Sequence, residues 1–147
     1  MKYLSGDTKK PTIEVEDLMT GDYEGKEVLM NGAIHTIRDM GDVAFVVLRK
    51  RGGLVQTVWE EGATNVALKD LKEADTVEVK GIVAKEDRAP NGYEVRLREI
   101  TVLSQPVEPM PIPIGKWKLN TSLETKLEMR PIALRNVRER AKFKIQE

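Results

Sequence analysis

The sequence contains no cysteine, which excludes disulfides, thiolate zinc sites and a cysteine nucleophile. Histidine is nearly absent: His35 stands alone, so neither a His-rich metal site nor a Ser-His-Asp triad can be built within this chain, since triad chemistry needs an imidazole beside its nucleophile. His35 itself reads as an ordinary strand residue. The N-terminus has no apolar run resembling a signal peptide or a membrane span, and the cytoplasm is the simplest compartment. Net charge is missing as well, at +0 formally, but it is unevenly spread. Positions 1–110 carry 15 basic and 20 acidic residues, and positions 111–147 carry 9 and 4. A domain that gripped nucleic acid mainly by neutralising phosphates would be basic, so the front of this chain is expected to bind by local contacts.

What is present is a series of β signals. With 147 residues there is room for one ordinary domain and an appendage. Thr12 to Met19 sets Ile13, Val15 and Leu18 among acids that favour an early helical turn, and reads as a short helix before Gly21. Glu27 to Arg38 is a long strand, with Gly32 marking an expected bulge or bend. Asp39-Met40-Gly41-Asp42 is a turn, and Val43 to Arg49 is a strand apolar on both faces. Arg51-Gly52-Gly53 forms a tight hairpin into a return strand, Leu54 to Trp59. The segment Gly32 to Gln56 is the most informative stretch, because its strands can bring Arg38, Phe45 and Gln56 onto one surface of a small barrel that reads single-stranded nucleic acid.

Between Glu61 and Asp75 the spacing of Val66, Leu68 and Leu71 predicts a helix. Thr76 to Glu86 returns to β alternation, and Pro90-Asn91-Gly92 turns the chain into a last strand, Tyr93 to Leu103. Three strands, a helix and two strands is the order of an all-β fold with a capping helix: a five-stranded OB-fold Greek-key barrel over residues 1–105. A split α+β sheet is the alternative. Pro106, Pro109, Pro111 and Pro113 then read as an extended linker outside any core. Residues 106–147 are thus linker and hinge, ending in a basic C-terminal helix with Leu134, Val137, Ala141 and Ile145 at helical spacing. Nothing visible covers that stripe, which suggests a fragment whose tail is mobile or self-associating.

Several short motifs together carry a family resemblance. They are G-K-E-V at Gly25 to Val28, H-T-I-R-D-M-G at His35 to Gly41, A-F-V-V-L-R at Ala44 to Arg49 and G-L-V-Q at Gly53 to Gln56. The hinge adds L-E-T-K-L-E-M-R at Leu123 to Arg130, A-L-R at Ala133 to Arg135 and F-K-I-Q at Phe143 to Gln146. Nearly the whole chain resembles the N-terminal anticodon-binding domain and hinge of class II aminoacyl-tRNA synthetases, closest to the aspartyl type and next to the asparaginyl type. Two positions depart from the family pattern: Lys50 stands where relatives often carry an acid, and Ala133 where the hinge commonly has one.

The resemblance implies a barrel that binds the anticodon loop of tRNA. Phe45 would stack a base, a contact worth about 1 to 3 kcal/mol. Gln56 would offer its amide to a base edge, and Glu94, in G-Y-E-V, would accept hydrogen bonds from guanine-type donors of the first anticodon base. Arg38, with Arg49 and Lys50 as further candidates, would meet loop phosphates or stack as a planar cation. Each has a plainer reading: Phe45 as core, Gln56 and Glu94 as solvated strand residues, the Arg49-Lys50-Arg51 run as a charged hairpin tip. Trp59 and Trp117 read as packing residues.

The resemblance also implies that this chain alone has no catalytic residue, cofactor or metal site. ATP and magnesium would belong to a catalytic domain beyond Glu147, and the parent, an ATP-dependent ligase charging tRNA with aspartate, would be a homodimer through that domain. A free-standing OB-fold that binds single strands generally, and a protein-interaction barrel, are the readings from other classes.

Overall fold

The structure, a computed structural model, describes residues 12–146. Five strands, β1 (Glu27–Asp39), β2 (Val43–Lys50), β3 (Gly53–Glu60), β4 (Thr76–Lys85) and β5 (Tyr93–Ser104), close into a barrel in the order β1-β2-β3-β5-β4. All neighbours are antiparallel except β3 and β5. This is the OB-fold expected from the strand order.

Closure depends on β1, whose first half pairs with β4 through Ala33 and whose second half pairs with β2 from Ala33 onward. Gly32 sits at that crossover, where a Cβ would lie 3.0 Å from the Arg49 carbonyl oxygen. Glycine permits the approach. The register shift itself falls between Ile34 and Thr36, so the bulge lies at His35 and not at Gly32.

Alternation decides which side of each strand is core. On β2, Ala44, Val46 and Leu48 are buried while Val43, Phe45 and Val47 are half-buried on the outer face, which resolves the ambiguity of a strand apolar on both sides. Val55 and Trp59 of β3, Val77, Val79 and Val83 of β4, and Val95, Leu97 and Ile100 of β5 complete the interior. The short helix α1 (Val15–Met19) adds Val15 and Leu18 to this core, and the Glu14 backbone N–H donates to Asp17 Oδ2 at 2.9 Å to fix its start.

The expected helix between β3 and β4 is absent. Only a single 3-10 turn, Leu68–Asp70, forms there. Asn65 ties the segment to β5 instead, with Oδ1 accepting from the Ile100 N–H at 2.8 Å, and Trp59 Nε1–H donates to the Val66 carbonyl at 2.8 Å. Leu71 is buried and Val66 and Leu68 pack against the barrel, so the apolar spacing reported burial correctly and conformation wrongly.

Past β5 the proline-rich stretch does more than link. Ile112 and Ile114 are buried with Leu119 and Ala133 in a second small cluster. Three short helices follow in place of one: α2 (Leu123–Glu128), α3 (Arg130–Ala133) and α4 (Val137–Lys144). Asn136 organises them. Its Oδ1 accepts from the N–H groups of Arg138 and Glu139, and its Nδ2 donates to the carbonyls of Ile114 at 2.8 Å and Lys116 at 2.7 Å. Trp117 packs against nothing substantial, being 72 % exposed; Leu119 fills the cluster in its place. Val137 and Ile145 of the C-terminal stripe are exposed.

Candidate nucleic-acid interface

The outer faces of β1, β2, β3 and β5 form one surface, and strand register fixes who stands beside whom. Arg38 pairs with Phe45, Phe45 with Val58, and Val58 with Arg96. These four side chains therefore make one lateral row across four strands. The adjacent row runs from Thr36 through Val47 to Gln56, and Gln56 reaches Glu94 across the parallel β3–β5 junction. Because residues two apart share a face, the rows lie about 7 Å from each other.

Together they line an open cleft of about 450 Å³ whose wall includes Arg38, Phe45, Gln56, Val58, Glu94 and Arg96, with Glu60, Glu86 and Arg88 at the rim. Phe45 and Val58 form its apolar ledge. At the polar end Gln56 Nε2 donates to Glu94 Oε2 at 3.0 Å, and Arg96 Nε lies 3.8 Å from Glu94 Oε1. Glu94 lies on the outer face of β5, yet its side chain is only 9 % exposed. A flat ring can lie on the ledge with its edge at Gln56 and Glu94. With three arginines balanced by three glutamates, the cleft is not a phosphate trap.

The structure thus brings Arg38, Phe45, Gln56 and Glu94 into one cleft. Lys50 is a correction: its side chain is 3 % exposed and paired with Glu14 at 3.5 Å, and Nζ donates to the Asn31 carbonyl at 2.6 Å. It faces inward on β2, is fully engaged, and cannot meet a phosphate. Arg49 shares the outer face of β2 with Phe45 but lies outside the cleft, against the C-terminal segment. Burial, and then the neighbouring Arg135 and Arg140 guanidiniums, lower its pKa. Its Nη1 lies 3.4 Å from His35 Nδ1; arginine can only donate, so Nδ1 accepts and the imidazole proton sits on Nε2. Burial first, and Arg49 second, lower the His35 pKa and so favour the neutral ring. Trp59 packs as expected, 7 % exposed.

Val58, Arg88 and Arg96 were not foreseen. Val58 and Arg96 are countable once hairpin register is known: Val58 lies opposite Phe45, and Arg96 two residues beyond Glu94. Arg88 sits in the β4–β5 loop, where no periodicity signals it. Among the described residues no group of His, Cys, Asp or Glu is arranged to hold a metal ion, and no helix is long and apolar enough to cross a membrane.

Comparison with known proteins places this geometry in context. The profile of the family described as OB-fold nucleic acid binding domain matches residues 28–103. An aspartate–tRNA(Asp/Asn) ligase from Sulfurisphaera tokodaii is 35 % identical over 129 residues, which is 87 % of this chain and 30 % of the relative. The corresponding ligase of Thermus thermophilus is 37 % identical over 122 residues, 83 % of this chain and 28 % of the relative. A solved structure of asparaginyl-tRNA synthetase from Pyrococcus horikoshii superposes with a TM-score of 0.65 at 30 % identity, covering 78 % of this chain and 27 % of that one. The chain spans under a third of the length of these relatives.

Proposed function

The chain belongs to the OB-fold nucleic acid binding domain family, and from that premise we propose that it reads the anticodon loop of a tRNA, as the anticodon-binding part of an aspartate–tRNA ligase. The observation that carries this is the two-row cleft: a half-buried Phe45 ring seated against the buried Val58, beside the amide and carboxylate of Gln56 and Glu94. A splayed-out base needs both a face to stack on and an edge reader, which is how single-stranded RNA is recognised by sequence. Phe45 supplies the stack. Gln56 and Glu94 test the edge, and Arg38, Arg88 and Arg96 pair with the flanking phosphates or stack on a base as planar cations.

The relatives that it resembles are aspartate–tRNA(Asp/Asn) ligases, and on this reading the chain serves the recognition of the same pair of tRNAs. On this reading the ATP-dependent reaction, with its magnesium and any dimer contact, lies in a catalytic part outside this chain, which itself is a recognition module. The test compares binding of the chain to an aspartate anticodon stem-loop and to the same stem carrying a scrambled loop. Binding at least tenfold tighter to the intact loop supports the reading, and equal binding to both refutes it.

A further inference from the structure

We propose that the seam between the barrel and the C-terminal segment holds a binding site for a phosphate-type oxyanion, formed by Arg49 and Arg51 on the barrel side and by Arg135, Arg140 and Lys144 on the other. The site lies outside the base-reading cleft, and the inference does not rest on the anticodon reading.

The five cations meet where the tip of the β2–β3 hairpin faces α4, around a cavity of about 180 Å³ with Leu54, Val137 and Ala141 as its apolar lining. Lys50, which also borders it, is turned inward to Glu14 at 3.5 Å. Among the described residues none of the five has a carboxylate oxygen within 4.0 Å. Glu14 and Glu16 line the adjoining cavity, but Glu14 is taken by Lys50 and Glu16 lies over the Gly52 backbone. Arg49 registers the crowding, since burial first, and then Arg135 and Arg140, lower its pKa. The cleft around Phe45 differs, because its three arginines are matched by three glutamates.

Like charges on flexible stems swing apart into water unless they are held, and here both walls are pinned. Arg49 is half-buried, with Nη1 3.4 Å from His35 Nδ1. Gly115 packs against Thr36 and the His35 carbonyl too closely for a side chain, and Asn136, next to Arg135, is tied to the Ile114 and Lys116 carbonyls. The cluster thus carries a standing repulsion that an anion relieves. Guanidinium forks on opposite walls suit a tetrahedral oxyanion, which accepts hydrogen bonds in several directions, better than a planar carboxylate. The cavity holds about six water volumes of roughly 30 Å³ each and falls short of the roughly 300 Å³ of a small-molecule pocket, so it admits a phosphate group and not a whole nucleotide. The source is either free phosphate or a backbone phosphate of bound RNA: Arg49 stands four residues from Phe45 along β2, about 13 Å away.

The experiment titrates inorganic phosphate into the chain at pH 7.5 and constant ionic strength and follows its amide resonances. Saturable shifts are expected in Arg49 to Leu54 and in Arg135 to Lys144, with Arg38, Arg88 and Arg96 unmoved. Arg140→Gln removes one charge-assisted contact and should weaken phosphate binding about tenfold or more. Arg135→Gln should do the same, whereas Lys142→Gln, whose ammonium is already paired with Glu139 at 3.1 Å, should bind like wild type. Shifts that stay linear in phosphate, that fall equally on the cleft arginines, or that survive both arginine variants overturn the proposal. Thermal melting, and retained α4 resonances in each variant, separate loss of the site from loss of the fold. An anticodon stem-loop then identifies the source of the phosphate. If RNA supplies it, Arg140→Gln weakens intact and scrambled loops by the same factor and lowers the salt slope by about 1; unchanged stem-loop binding assigns the site to free phosphate. Neither result touches the preference for the intact loop over the scrambled one, by which the anticodon reading stands or falls.

Discussion

Replacing Phe45 separates the two things an aromatic on a strand can do. The ring is half-buried on the outer face of β2, between Arg38 and Val58, and lies outside the buried cluster that fills the barrel. Truncating a fully buried phenylalanine costs about 3 to 5 kcal/mol. A ring with one open face loses only part of that, so Phe45→Ala should destabilise the barrel by about 1 to 2 kcal/mol. Its effect on binding should be larger in consequence: losing one base stack costs about 1 to 3 kcal/mol, or about 5- to 150-fold in Kd. Phe45→Leu sharpens the comparison, since it keeps apolar bulk over Val58 but removes the π-face; stability should stay within about 1 kcal/mol of wild type while most of the affinity is lost. Urea denaturation and calorimetric titration with an aspartate anticodon stem-loop on the same preparations read both quantities. The reasoning fails if Phe45→Leu binds like wild type, or if Phe45→Ala loses more than 3 kcal/mol of stability while its folded fraction binds normally.

Further outcomes follow from the side chains around the cleft. Lys50→Ala removes a buried ammonium from Glu14 and Asn31 and should lower stability by about 1 to 3 kcal/mol; stem-loop affinity of the folded protein should be unchanged, and a large affinity loss would restore Lys50 as an RNA contact. His35 has its pKa lowered in the folded state, so below the unfolded value of about 6.5 the unfolded chain takes up a proton that the folded one resists. Stability is full above that pH and falls as pH drops through it; His35→Gln should show a smaller fall in Tm between pH 7.5 and 5.5, and an equal fall in both proteins would contradict the assignment. Asn136→Ala loses the α4 cap and both bonds to the Ile114 and Lys116 carbonyls. A cap alone is worth about 1 kcal/mol, so amide exchange should quicken in α4 and around Ile114 with the barrel strands unaffected; uniform protection would show that the tail is held by something else.

Much of the barrel was legible because turns punctuate it. Gly41, Gly53 and Gly92 take positive φ at the strand junctions, a backbone that favours glycine, so each strand was bounded to within a residue or two. The segment from Glu61 to Asp75 was misread, because Val66, Leu68 and Leu71 satisfy a helical period while the conformation is dictated from a distance by Asn65 on β5. Lys50 was misread for a similar reason. Its place on the inner face follows from counting along β2, but the carboxylate that makes burial tolerable comes from Glu14, far away in sequence. The joining of Gln56 to Glu94, 38 residues apart, depends on the parallel β3–β5 pairing, which no local pattern announces. In the tail, Pro111 and Pro113 argued for an extended linker, and the chain is indeed irregular there; that Ile112 and Ile114 turn inward depends on α3 and on Asn136, which local composition does not encode.

The central claim is that the Phe45 cleft reads bases and not merely phosphates. Titrating the chain with the aspartate anticodon stem-loop and with loops changed singly at each anticodon base, at two salt concentrations, tests it most directly. Among the described residues the cleft is lined by three cations, Arg38, Arg88 and Arg96, so phosphate contacts made in the cleft should give a fall of log K with log salt at a slope no steeper than about −2, and at least one base change should weaken binding about tenfold or more at both concentrations. Equal affinity for every loop, with a slope much steeper than that, would make this a charge-driven binder and contradict the account.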